Sequence, residues 1–172
     1  CNEENIGGGT TPDLPSKPIV ILYENDVHCA VDGYPLLVSM RKECQSVTDY
    51  VATVSCGDFA SGSVVGAISK GEQIARIMNH VGYDAVVLGN HELNYGMQQM
   101  LNITESLKAP VVCANLKNIQ TDEYLYPAYH IVSYGDIEIA YIGFTTTTSG
   151  TVKILSDEQG NPLYSFMRDK FY

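Results

Sequence analysis

Ala85-Val86-Val87-Leu88-Gly89-Asn90-His91-Glu92 is the stretch on which the fold turns. Four apolar residues in a row, with no polar alternation, read as a short strand buried on both faces. The run ends at a glycine, where the backbone can turn sharply, and then delivers three polar side chains. The same grammar occurs twice upstream. Ile19-Val20-Ile21-Leu22-Tyr23 leads into Asn25-Asp26-Val27-His28, and Val51-Ala52-Thr53-Val54-Ser55-Cys56 leads into Gly57-Asp58-Phe59. Between the first two runs, Leu37, Met40 and Cys44 recur at helical spacing; between the second and third, Ile74, Ile77, Met78 and Val81 do. Downstream, residues 97–107 predict a helix, Pro110 stops it, and Val111-Val112-Cys113 forms a fourth strand. Tyr129–Tyr134 and Ile137–Ile142 flank Gly135-Asp136, a hairpin signal. Strand and helix therefore alternate before a hairpin closes the pattern. That order predicts an α/β fold, a mainly parallel sheet with flanking helices plus a β-hairpin. From Thr145 onward the chain reads as polar loop, and no internal repeat is seen.

The bulk composition narrows the function. A chain of 172 residues, 45% hydrophobic and 17% charged, fits one domain with a substantial core. Twenty acidic residues against ten basic ones give a net charge of −10, which argues against a duplex nucleic-acid partner, since phosphate contacts need Lys and Arg. A small phosphate ester is still open, because bound cations can supply the missing positive charge. No apolar run approaches the roughly 18 residues that span a bilayer. Residue 1 is Cys, and translation does not start at Cys. One reading is an arbitrary boundary. The other is an exported lipoprotein carrying lipid on Cys1, held at a periplasmic or outer envelope surface. The polar, Gly- and Pro-rich residues 2–18 favour the second, as a flexible tether over residues 1–17 ahead of a domain over 18–172. The remaining cysteines, Cys29, Cys44, Cys56 and Cys113, match no zinc or redox spacing. Cys56 and Cys113 fall in expected strands and read as buried thiols, with a disulfide left open.

Chemistry concentrates at the carboxyl ends of the first three strands, the edge where open α/β sheets bind ligands. Asp26 and His28 share a face if the strand continues, so both can reach one ion, and a carboxylate with an imidazole suits Zn, Mn or Fe. Asp58 follows an apolar run and is costly there unless paired or bound to a cation; alone it could as well cap the next helix. Asn90 offers a neutral oxygen beside His91. Each is unremarkable singly, but three successive strands ending this way are hard to explain as independent turns.

In that order, Asp-x-His, Gly-Asp and Gly-Asn-His-Glu resemble the calcineurin-like metallophosphoesterase superfamily. Gly62-Ser63, Tyr95-Gly96, Ala114-Asn115-Leu116 and Ile142-Gly143-Phe144-Thr145-Thr146 are similar to its bacterial 5′-nucleotidase branch. The resemblance implies a four-layer αββα domain, of which this chain supplies the N-terminal portion. It implies hydrolysis of nucleotides by a water activated between two divalent ions. Asp26 and His28 would hold one ion, Asp58 bridge both, and Asn90 hold the second. His91 would donate a hydrogen bond or proton to the phosphoryl or leaving oxygen, and Asn115 would help shape the substrate entrance. The chain departs from the family at Asn94, where a carboxylate normally orients the catalytic histidine; the amide keeps a hydrogen bond without the charge. It departs again in its later ligands. The only histidines are His28, His80, His91 and His130, and no Gly-His pair occurs; His80 and His130 read as a surface and a packed or edge residue. The expectation is a truncated form that holds at most one ion, with little activity alone and an exposed sheet edge open to self-association. The rival readings are a non-catalytic cell-surface domain that keeps the fold, and a hydrolase of cyclic nucleotides or other esters.

Overall fold

The computed structural model describes residues 17–147 and 154–167. Cys1 and all of the expected tether except Lys17 lie outside that range. Four parallel strands form one sheet in the order β1 (Val20–Glu24), β2 (Val51–Ser55), β3 (Ala85–Val87) and β4 (Val111–Val112). The crossovers contain α1 (Gly33–Gln45), α2 (Val64–Ser69) with α3 (Glu72–Val81), and α4 (Met97–Ser106). The expected α/β class and parallel sheet are therefore present.

α3 sits between α1 and α4 and anchors that layer. Its apolar stripe, Ile74, Ala75, Met78 and Val81, is buried against Val86 and Leu88 of the third strand region, with Phe59, Met100 and Ile103. On α1 the buried residue is Tyr34 (4% exposed), while Met40 is 52% exposed. The Leu37-Met40-Cys44 spacing thus identified the helix, and Leu37 packs half-buried against the core, while Met40 turns outward. α2 was not anticipated, because Val64-Val65-Gly66-Ala67-Ile68 lacks polar alternation. Ser63 starts it, accepting a hydrogen bond from the Gly66 N–H, so Asp58 is not a helix cap.

The register puts Val54 beside Ala85, and Val87 beside Val112, on the sheet face opposite the helices. There the hairpin of β6 (Tyr129–Tyr134) and β7 (Ile137–Ile142) meets the sheet, and Ala140 and Ile142 of β7 line an open pocket of about 240 Å³. This hairpin has the expected two-residue loop, with Tyr134 paired to Ile137. The stretch expected to be loop beyond Thr145 contains a second antiparallel sheet instead. β5 (Leu116–Asn118) pairs with β9 (Pro162–Phe166), which pairs with β8 (Ile154–Ser156). Leu155 and Phe166 are 3% and 5% exposed; two buried residues in otherwise polar surroundings hold these strands through contacts distant in sequence. Among the described residues, Cys29, Cys44, Cys56 and Cys113 are free thiols. Cys113 is buried as expected. Cys56 is exposed, because β2 ends one residue before it and the chain is already turning.

Glu24, the last residue of β1, is an expensive feature of this core. Both its carboxylate oxygens are buried without a hydrogen-bond partner. Burial raises its pKa to about 7; the nearby Ser55 and Tyr83 hydroxyls, short of hydrogen-bonding geometry, offset this in part, and the Glu92 and Asp26 charges add to it. A carboxyl whose folded-state pKa is raised destabilises the fold as pH climbs from its unfolded pKa through the folded one. Glu24→Gln should therefore stabilise the metal-free protein at pH 8, by on the order of 3 kcal/mol for a shift of this size. The gain should vanish below about pH 4.5. Urea unfolding at both pH values checks this, and an equal effect at both would refute it.

Candidate metal centre

Three loops at the carboxyl edge of the sheet build the site, and their backbones explain how. β1 ends at Glu24, so Asp26 and His28 do not share a strand face as the alternation suggested. They converge because both adopt left-handed backbone, at φ +54° and +46°, as do Cys29 at +60° and Asp58 at +59°. Non-glycine residues rarely hold this conformation and retain it only when their surroundings impose it. The imposing contacts are hydrogen bonds between loops. Asp26 N–H donates to the Gly57 carbonyl at 3.2 Å, and His28 N–H to the Asp58 carbonyl at 2.9 Å. The first loop therefore rests on the second.

The side chains meet above this frame. Ligand atoms of His28, Asp58 and His91 lie within 4.8 Å of one another. Asp26 Oδ1 is 3.6 Å from His28 Nε2, and Asn25 donates to the other Asp26 oxygen. His28 Nδ1 faces the Ser61 carbonyl at 3.2 Å. A carbonyl only accepts, so Nδ1 carries a proton and Nε2 turns toward Asp26. Two donor atoms each about 2.1 Å from one tetrahedral ion sit about 3.4 Å apart. The observed 3.6 Å suits a shared cation. Among the described residues neither Asp26 nor Asp58 forms an ion pair with Lys or Arg. The donor set thus fits a divalent metal with nitrogen and oxygen preferences.

His91 opens a single 3-10 turn, His91–Leu93, with Asn90 at its start. Its backbone N–H donates to Asp58 Oδ1 at 2.8 Å, which ties the third loop to the second. Its ring stands edge-on to that of His28, with centroids 4.7 Å apart. The Asn94 amide nitrogen lies 2.9 Å from His91 Nδ1 and 2.9 Å from the Ser61 hydroxyl, so the amide occupies the orienting place expected for it. Asn115 lies apart. It is 4% exposed, its nitrogen donates to the Thr145 carbonyl at 2.8 Å, and its oxygen accepts the Thr145 N–H at 3.0 Å. Thr145 in turn donates from its hydroxyl to the Leu88 carbonyl at 2.7 Å. Both ends of the Asn115 amide are therefore committed to backbone that braces the third strand end. His80 is exposed on α3 and donates from Nδ1 to the Arg76 carbonyl of its own helix at 2.8 Å.

Sequence reasoning passed over Glu92. It is 0% exposed and accepts four backbone hydrogen bonds, from Asp58 (2.9 Å), Phe59 (2.8 Å), Ala60 (2.9 Å) and Gly89 (2.6 Å). Burial raises its pKa while these donors oppose the rise. The available signal was a carboxylate placed directly after an apolar strand and two polar residues. Ser61 was missed as well, although it touches both histidine systems; nothing in Ala60-Ser61-Gly62 marks it.

Comparison with known proteins agrees with this geometry. Residues 19–169 match the calcineurin-like phosphoesterase family, and the chain belongs to that family. It is 26% identical to a bovine 5′-nucleotidase over 181 residues, covering 89% of this chain and 32% of that protein. It is 35% identical over 129 residues to the protein named silent protein UshA(0) of Salmonella typhimurium, covering 75% and 22% respectively. The solved structure of Haemophilus influenzae NAD nucleotidase shares the fold, with a TM-score of 0.71 at 23% identity, over 87% of this chain and 29% of that one. The chain spans about a quarter to a third of the length of these curated relatives.

Proposed function

We propose that this chain carries part of the active centre of a metal-dependent phosphoric monoester hydrolase of 5′-nucleotidase type, acting on nucleotides. The observation that carries the proposal is the cluster of Asp26, His28, Asp58 and His91. Asp26, His28 and Asp58 are held in left-handed backbone by neighbouring loops, and neither Asp26 nor Asp58 pairs with Lys or Arg among the described residues. In this reading Asp26, His28 and Asp58 hold one ion, and Asp58 with Asn90 faces a second. Divalent ions there would supply Lewis acidity and a water acidic enough to attack phosphorus at neutral pH. His91, oriented by Asn94, presents its ring to the phosphoryl or leaving oxygen and stabilises charge developing there. Asn115 acts through Thr145 on the entrance rather than on substrate. By the same reading, residues 18–172 are the N-terminal portion of the catalytic domain of an exported protein.

The ligand count supports a second reading alongside, a domain that keeps the fold but holds ions weakly. Three of the four proposed ligands serve the first ion and only two, Asp58 and Asn90, the second, whereas catalytic zinc typically takes about three protein ligands. The 172-residue chain should therefore retain one ion, not two, after dialysis against Zn or Mn, as elemental analysis will measure. It should release little phosphate from nucleoside monophosphates. Two retained ions with robust turnover would overturn this expectation, and no retained ion would favour the non-catalytic reading.

A further inference from the structure

We propose that Glu92 is a positioning residue that assembles the metal centre through the backbone, without touching an ion. The inference rests on the metal-centre reading above and adds a residue to it. Glu92 is a fully buried carboxylate outside the cluster of ligand atoms, and its two oxygens are shared between two loops. Oε1 takes the N–H groups of Phe59 and Ala60, and Oε2 those of Asp58 and Gly89. Asp58 and Gly89 come from different strands, so a single side chain fixes their separation. The tolerance is small. A methyl group at Gly89 would stand 2.1 Å from Asp58 Oδ1, so the backbone of one loop lies directly against the ligand of the other.

This arrangement adds to the bonds from the first loop a second constraint on Asp58. Asp58 holds left-handed backbone at φ +59° although no glycine occupies its position, and its N–H is drawn inward to Glu92 instead of pairing along the strand. Once Glu92 has set the backbone, Asp58 Oδ1 is directed at the His91 N–H, and its carboxylate lies beside His28. A side chain that satisfied the four donors only in part would free Asp58 to return to ordinary backbone space, and its carboxylate would leave the cluster. Charge-assisted bonds from backbone N–H groups to a buried carboxylate are strong and directional, which suits a clamp. Glu92→Gln preserves shape but turns an amide N–H₂ toward N–H donors, so at least one pair of bonds is lost.

The test is the affinity of the whole chain for Zn or Mn, by calorimetry, in wild type, Glu92→Gln and Met100→Ala. Met100 is a buried α4 residue, and its truncation lowers stability without a bond to either loop. Glu92→Gln is expected to weaken ion binding about 10- to 100-fold, the usual consequence of losing a group that orients ligands. Met100→Ala should leave it within about threefold at a temperature where both variants remain folded. Equal weakening in the two would show that Glu92 contributes only stability, and unchanged binding in Glu92→Gln would overturn the proposal. A wild type that binds no ion overturns the metal-centre reading instead, a different outcome. Should Glu92→Gln fail to fold, hydrogen exchange in the wild type decides. The amides of Asp58, Phe59, Ala60 and Gly89 are expected to be protected before metal is added, and protection that arises only with metal would refute a preformed clamp.

Discussion

Asp58→Asn should reduce divalent-ion affinity by more than about 100-fold, exceeding the 10- to 100-fold typical of outer groups and exceeding the effect of Asn90→Ala. The substitution is a clean probe for a structural reason. Asp58 sits at φ +59°, and asparagine is among the few residues that tolerate that region. Its amide oxygen can also keep the hydrogen bond from the His91 N–H. Fold and loop should survive, and what disappears is the negative charge beside His28 and His91. A neutral oxygen cannot offset charge on an ion: the first ion would keep only the Asp26 carboxylate, and the second, facing Asp58 and Asn90, would keep none, since Glu92 is consumed by backbone donors. Asn90→Ala removes one neutral oxygen and should cost less. Calorimetric titration with Zn or Mn, with circular dichroism to establish folding, measures both. An Asn90→Ala loss greater than that of Asp58→Asn would remove Asp58 from the centre of the site.

Gly57→Ala should destabilise the protein by about 3 kcal/mol or more, from left-handed backbone and overpacking together. Gly57 holds φ +93°, and an added methyl would stand 2.3 Å from the Gly89 nitrogen and 2.8 Å from its Cα. Those are backbone atoms on the adjacent strand and cannot swing aside as a side chain would. Total stabilities lie near 5–15 kcal/mol, so the loss should show as a large fall in the urea midpoint. The Gly57 carbonyl also accepts the Asp26 N–H, so ion affinity should fall in the population that stays folded. A midpoint shift worth less than about 1 kcal/mol would mean that the two strand ends can separate, and that their close approach is not needed to build the site.

Much of this was written in the linear order of residues. The parallel sheet followed from apolar runs too short for helices and separated by helical periodicity, since a strand buried on both faces has little choice of composition. The hairpin followed from Gly135-Asp136, whose turn preference is local. The polar strand ends were legible because sheet topology brings the carboxyl ends of neighbouring parallel strands to one edge whatever the loop lengths. Tertiary structure alone decided the rest. β9 depends on pairing with β5 across nearly fifty residues and β8 on pairing with β9, and strands of three to five residues carry little periodicity to read. The inward face of α1 depended on what packed against it. The convergence of Asp26 and His28 was anticipated by the wrong physics, strand alternation, whereas the backbone achieves it by left-handed residues held from a neighbouring loop. The roles of Glu92 and Ser61 were undecided for the same reason: each acts by accepting hydrogen bonds from other loops, and a group's partners exist only once the chain has folded around it.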